Sequence, residues 1–195
     1  MSISWTGVMP AVTTKFTAKD ELDLDMFAVN INAQLEAGVN GIILGGTLGE
    51  ASTLISNEKK VLMKETVKLV KGKVPVIINI AEQTTKGAIH AAHVAEECGA
   101  TGLMMLPPMR YKANDYETVT YFKETAKSTK LPIMIYNNPI DYGIMVTLDM
   151  LEELMECDNI QAVKESTRDI SNITRIKTRF GNRLNVLTGV DTLGL

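Results

Sequence analysis

The chain has 195 residues, with 20 Lys and Arg against 23 Asp and Glu for a net charge of −3, and 45% of its residues are apolar. That length predicts one domain, and the slight acidity argues against nucleic acid or an anionic membrane surface as partner. Cys98 and Cys157 are too few for a disulfide framework or a zinc site of their own. The start of the chain lacks a signal-peptide pattern and no apolar run nears the roughly 18 residues of a membrane span, so a single cytoplasmic domain over residues 1–195 is expected.

The chain opens with an apolar run from Gly7 (GVMPAVTT), expected as a first strand. Asp23 to Ala37 then sets Leu24, Phe27, Ile31 and Leu35 along one helical stripe. GIILGG from Gly41 is the second expected strand, and Ser56 is the expected N-cap of a helix through Val61, Leu62, Val67 and Val70 that Gly72 ends. VPVIINI from Val74 precedes an Ala-rich helix from Thr85 to Cys98, and GLMMLPP from Gly102 precedes one from Asp115 to Ser128. PIMIYNN from Pro132, with Asn138-Pro139 as a turn signal, leads to a helix from Thr147 to Cys157. IQAVKES from Ile160, a helix from Asp169 to Arg179 and LNVLTGV from Leu184 complete the series.

The strand runs are rich in Val, Ile, Leu and Met with little alternation, as parallel strands buried on both faces are. Their starts lie 24 to 34 residues apart, the size of a βα repeat. A doubly wound nucleotide-binding sheet should show G-x-G-x-x-G after its first strand, and here that strand runs into VTTKF. Polar residues instead gather where strands end: Thr13, Thr14, Thr47, Glu50, Tyr136, Asn137, Lys164, Glu165 and Asp191. That is the layout of a (β/α)₈ TIM barrel, whose active site sits on the C-terminal rim of its strands. Such a barrel usually needs about 250 residues. The chain ends just after the seventh expected strand, so the C-terminal part of the barrel is expected to be missing.

Lys164 ends a strand that otherwise looks buried. A lysine in an apolar setting is either paired, here with Glu165 or Asp169, or held neutral, in which case it attacks carbonyl carbon and forms a Schiff base. Tyr136 ends the preceding strand, where a phenol either relays protons to that lysine or is a core tyrosine with a satisfied hydroxyl. The loop GGTLGEAS from Gly45 offers backbone N–H groups and the Thr47 hydroxyl to a carboxylate or phosphate, and it lacks the lysine of a Walker-type loop. His90 and His93 are three apart on a helix far from the rim, a poor spacing for zinc, and no metal site is expected. Arg110, with Tyr111, follows the fourth strand and either holds a carboxylate or sits in solvent.

In combination these features resemble the dihydrodipicolinate synthase and N-acetylneuraminate lyase family. The carriers are GTLGEASTL from Gly46, YNNP from Tyr136, VKES from Val163 and LTGVD from Leu187, and the likeness runs from Gly7 onward. The resemblance implies that Lys164 forms an imine with the keto carbon of pyruvate or another 2-oxo acid. It implies that Tyr136 shuttles protons and that Thr47, with Leu48 and Gly49, cradles the substrate carboxylate. It further implies a homo-oligomer, tetramer or dimer, and no metal or organic cofactor.

The chain also departs from the synthase pattern. Leu48 stands where that pattern has a second threonine, Arg110 stands where it has a tyrosine contributed across a dimer interface, with Tyr111 one place off, and Asp141 stands where it has an arginine that holds aspartate semialdehyde. Arg110 and Asp141 are then expected to contact the distal part of the substrate. The spellings LPPMRYKA, MIYNNPIDYG and VLTGVD look more like the 1-pyrroline-4-hydroxy-2-carboxylate deaminases, which use the same lysine on a cyclic imino acid. The alternatives are dihydrodipicolinate synthase itself, another 2-oxo acid aldolase or dehydratase, and a non-catalytic barrel fragment.

Overall fold

The structure, a computed structural model, describes residues 3–190. Six strands form one sheet: β1 (Ile42–Leu44), β2 (Val76–Ile80), β3 (Gly102–Met105), β4 (Ile133–Asn137), β5 (Ile160–Glu165) and β6 (Asn185–Thr188). Around them lie α1 (Leu24–Glu36), α2 (Ser56–Val70), α3 (Thr85–Glu97), α4 (Asp115–Lys127), α5 (Pro139–Tyr142), α6 (Leu148–Leu154) and α7 (Ile170–Phe180). Every strand pair is parallel and the spatial order is the chain order, β1-β2-β3-β4-β5-β6. A doubly wound sheet reverses direction at a switch point. A strictly sequential order is that of a barrel wall, here an open part of one.

The strand expected from Gly7 is corrected to a single bridge. Ala11 pairs in parallel with Ile43, through Ile43 N–H to the Pro10 carbonyl at 2.9 Å and Val12 N–H to the Ile43 carbonyl at 3.0 Å. The segment lies in the position of a barrel strand, but Pro10 has no N–H to extend the ladder and Gly7 turns the chain at φ +80°. Ser56 is likewise not a cap. It is the first helical residue, and the N–H of Ile55 before it is taken by the Glu58 side chain at 2.9 Å. Asn138-Pro139 opens a short helix rather than a plain turn, with the Asn138 side chain accepting from Asp141 N–H at 3.3 Å.

Strand alternation sorts the core into two layers. Outward residues such as Ile42, Leu44, Ile78, Ile80, Ile133 and Val163 pack under the helices. Inward residues Ile43, Ile77, Met104, Met134, Tyr136 and Ala162 meet one another and Trp5 on the sheet's other face. Ile133 pairs with Ile160 but Met134 pairs with Ala162, so Gln161 is one residue extra on β5. Beyond this bulge Tyr136 stands beside Lys164, whereas an unbroken register from Ile133 would have set it against Val163, which faces the helices. Gln161 is fixed to the inner layer by Trp5, whose indole N–H donates to its Oε1 at 3.1 Å.

Candidate active site

Lys164 and Tyr136 are register partners across β4 and β5, and the Lys164 Nζ lies 4.1 Å from the centroid of the Tyr136 ring. The pairing of Lys164 with a neighbouring carboxylate does not occur. Glu165 points the other way and is buried, where it accepts from Asn137 Nδ2 at 3.1 Å, Asn172 Nδ2 at 2.9 Å and Thr167 N–H at 2.7 Å. Asp169 binds Arg175 at 3.0 Å. Among the described residues, Lys164 is thus a half-buried amine against an aromatic face, with no carboxylate in ion-pair reach. Asp191, the other acidic residue expected at the rim, lies outside the described residues.

Thr47 joins this pair through a residue that the sequence did not single out. Its hydroxyl meets the Tyr142 hydroxyl at 2.5 Å, and the Tyr142 ring stands edge-on to Tyr136 with centroids 5.5 Å apart. Burial pushes the Tyr142 phenol above its ordinary value, and the Thr47 hydrogen bond pulls it part of the way back. α5 makes the contact possible by turning the chain back after β4. Its signature is in the sequence: Asn138 as N-cap, Pro139 at the first helical position and Asp141 in the first turn.

The loop after β1 winds into a short 3₁₀ turn over Thr47–Gly49, which Glu50 leaves in the left-handed region at φ 56°. The expectation that its amides as far as Gly49 cradle a carboxylate is corrected at Gly49, whose N–H donates to the Gly46 carbonyl at 3.0 Å. The N–H groups of Thr47 and Leu48, at the start of the turn, have no acceptor within it. Thr14 clamps the loop by donating to the Gly49 carbonyl at 2.6 Å. The Leu48 side chain is 70% exposed and makes no part of the polar cluster.

Two expected substrate contacts stand apart. Arg110 is exposed. Its backbone N–H donates to Gln83 Oε1 at 2.6 Å, and its guanidinium lies 5.9 Å from the Tyr111 ring with no bond to Lys164, Tyr136 or Thr47. Asp141 is turned inward on its own turn, where its Oδ2 accepts from Asn138 Nδ2 at 2.7 Å. His93 Nε2 meets the Ser128 carbonyl at 3.0 Å, a tie between α3 and the end of α4. Thr47 and Tyr142 also line an open cleft of about 400 Å³ with Leu106 and Met109, which neither Lys164 nor Tyr136 lines.

A lysine and a tyrosine side by side at the ends of adjacent parallel strands, with a threonine loop opposite, are what known proteins must be compared against. The sequence model of the dihydrodipicolinate synthetase family matches residues 4–195. The chain belongs to this family. A 4-hydroxy-tetrahydrodipicolinate synthase of Exiguobacterium sibiricum is 33% identical over 185 residues, which are 95% of this chain and 63% of that protein. The crystal structure of dihydrodipicolinate synthase from Aquifex aeolicus superposes with a TM-score of 0.93 at 31% identity, covering 97% of this chain and 64% of that one. YagE, an E. coli K12 prophage protein of the same family solved in complex with pyruvate, gives 0.90 at 30% identity, covering 96% and 64%. The chain thus spans a little under two thirds of these family members' length. Both synthase names agree with the alternative reading of the sequence rather than with the deaminase branch.

Proposed function

We propose that the chain carries the imine-forming site of a lyase of the dihydrodipicolinate synthase type, with Lys164 as nucleophile toward the keto carbon of pyruvate or a close 2-oxo acid. The observation that supports it most is the pairing of Lys164 with Tyr136, amine against phenol, with no carboxylate of the described residues holding the amine. Free Lys164 Nζ adds to the keto carbon to give a carbinolamine. Its hydroxyl leaves as water with a proton supplied through Tyr136, and a protonated imine remains. The substrate carboxylate sits against the Thr47 hydroxyl and the N–H groups of Thr47 and Leu48, which have no backbone acceptor among the described residues. Loss of a C3 proton then gives an enamine, whose C3 attacks an aldehyde carbon in the condensation.

The synthase names of the relatives favour aspartate semialdehyde as the partner in that condensation. A second reading, deamination of 1-pyrroline-4-hydroxy-2-carboxylate through the same lysine, rests on Asp141, a carboxylate where the synthase pattern has an arginine. A homo-oligomer of two or four copies is part of the proposal. Exposed Tyr111, before α4, and Tyr116, in its first turn, are the kind of surface such an assembly covers.

Intact mass after pyruvate and sodium borohydride tests the nucleophile. One reduced pyruvate per chain, absent in Lys164→Ala, is expected. A folded chain that stays unmodified rejects the imine. Product analysis with pyruvate plus aspartate semialdehyde, beside ammonia release from the cyclic imino acid, then separates the two substrates.

A further inference from the structure

Asn138 is 5% exposed, and each of its polar groups is committed. Its Oδ1 accepts from the Asp141 backbone N–H at 3.3 Å. Its Nδ2 donates one proton to Asp141 Oδ2 at 2.7 Å and the other to the Tyr136 hydroxyl oxygen at 3.2 Å. The backbone donor and the carboxylate fix which end of the amide is nitrogen, because a reversed amide would set oxygen against carboxylate. Asn138 therefore presents only a donor to Tyr136. The phenol oxygen accepts there, and its own proton must point elsewhere, with the Tyr142 hydroxyl a further hydrogen-bond partner within reach.

We infer that Asn138, locked by Asp141, is a positioning residue that aims the Tyr136 proton at the reacting centre and stabilises the phenolate left when that proton is given up. The inference rests on the proposed imine chemistry. It also gives Asp141 a task other than distal substrate binding: its carboxylate holds Asn138 in the only orientation that serves Tyr136. A hydrogen bond to the charged form of an acid favours that form, so the Asn138 N–H lowers the barrier to proton donation from the phenol. Of Lys164, Tyr136 and Thr47, Asn138 hydrogen-bonds only the Tyr136 phenol and acts through it.

The exchange variant N138D/D141N tests this. The carboxylate it introduces at position 138 still accepts from the backbone N–H of position 141, and the side-chain bond between the two positions persists with its direction reversed. The group facing Tyr136 becomes an acceptor, which captures the phenol proton. The readout is deuterium exchange at pyruvate C3, run with wild type and Lys164→Ala. The expected result is a fall in the maximal exchange rate of roughly 10- to 100-fold, with half-saturating pyruvate within about twofold of wild type. In a Tyr136→Phe background the same double exchange should change the rate by less than about twofold, since there is no phenol left to aim.

Asn138→Ser keeps a capping oxygen yet is too short to reach the phenol, and it should show the same loss. A melting curve for each variant identifies the ones that fold. Wild-type exchange no faster than Lys164→Ala removes the functional reading and this inference with it. A wild type that exchanges, matched in rate by N138D/D141N or by Asn138→Ser, overturns the inference alone. Equal losses with and without the Tyr136 hydroxyl overturn it too, because the pair would then be acting on the fold.

Discussion

Gly189 matters to the candidate site for the side chain it lacks. Its N–H donates to the Glu165 carbonyl at 2.9 Å, which holds its backbone against the end of β5. A Cβ there would come within 2.8 Å of Lys164 Cε and nearer still to Ser166 Oγ. Ser166 is 2% exposed, so neither it nor the strand can move aside cheaply. Lys164, with a mobile stem, would be the group displaced. Gly189→Ala should therefore cost about 1–3 kcal/mol of stability through overpacking. It should also slow borohydride-trapped adduct formation on the order of 100-fold, the usual cost of misplacing a reacting group by about 1 Å. Trapping at the wild-type rate in a folded Gly189→Ala protein would show that the lysine has room the structure denies it. A glycine after a strand end reads as an ordinary turn in a sequence. Only the approach of Lys164 and Ser166 makes it part of the site.

The same dependence on exact neighbours holds for β5, where the way Gln161 is accommodated decides which face Lys164 occupies. The pairing of Met134 with Ala162 exists because Gln161 is accommodated as a bulge, anchored by the Trp5 indole. Deleting Gln161 leaves Ile160 and Ala162 in direct succession, so the register set at Ile133 runs unbroken to Tyr136 beside Lys164. The expected outcome is a retained Lys164 adduct and helical circular-dichroism signal, with stability lowered by loss of the Trp5 anchor. Loss of the adduct in a folded variant would mean that the bulge itself, beyond the register it sets, orients the lysine. The strands themselves were legible because β2, β3 and β4 are buried along their whole length and are mostly apolar with little alternation. Helix α1 was legible from its stripe of Leu24, Phe27, Ile31 and Leu35. The bulge was not, since a run such as IQAVKES carries no mark of which residue is extra. The first run misled because its apolar spelling outweighed Pro10, whose missing N–H limits it to a bridge. Lys164, Tyr136 and Thr47 were singled out because each lies at, or just past, the C-terminal end of a strand. Asn138 and Tyr142 were passed over because they sit in what looked like a turn, and their importance appears only when α5 folds back on Tyr136.

At the scale of the molecule, the sheet is a graded object: β4 lies between β3 and β5, whereas β6 has a strand on one side only among the described residues. Burial follows the same gradient, complete along Ile133–Asn137 and only partial along Asn185–Thr188, where Thr188 is exposed. Lys164 sits between these regimes, with Tyr136 on its rigid flank and Leu187 on its softer one. Local opening draws on the regions with the fewest buried contacts, so amides of β6 should open without the rest of the sheet, while those of β4 should exchange only on global unfolding. Hydrogen exchange by mass spectrometry on this chain should therefore give peptides over 185–188 exchanging at least about tenfold faster than those over 133–137, a difference of about 1.4 kcal/mol in opening free energy. Trapping the pyruvate imine should slow exchange at β5, which carries the nucleophile, more than at β2, which does not touch it, because a ligand held by Lys164 stabilises only the state in which that strand is formed. Equal protection of β4 and β6 would mean that the described edge is covered by another part of the molecule or by a second copy, and the softness ascribed to the Leu187 flank would then be absent.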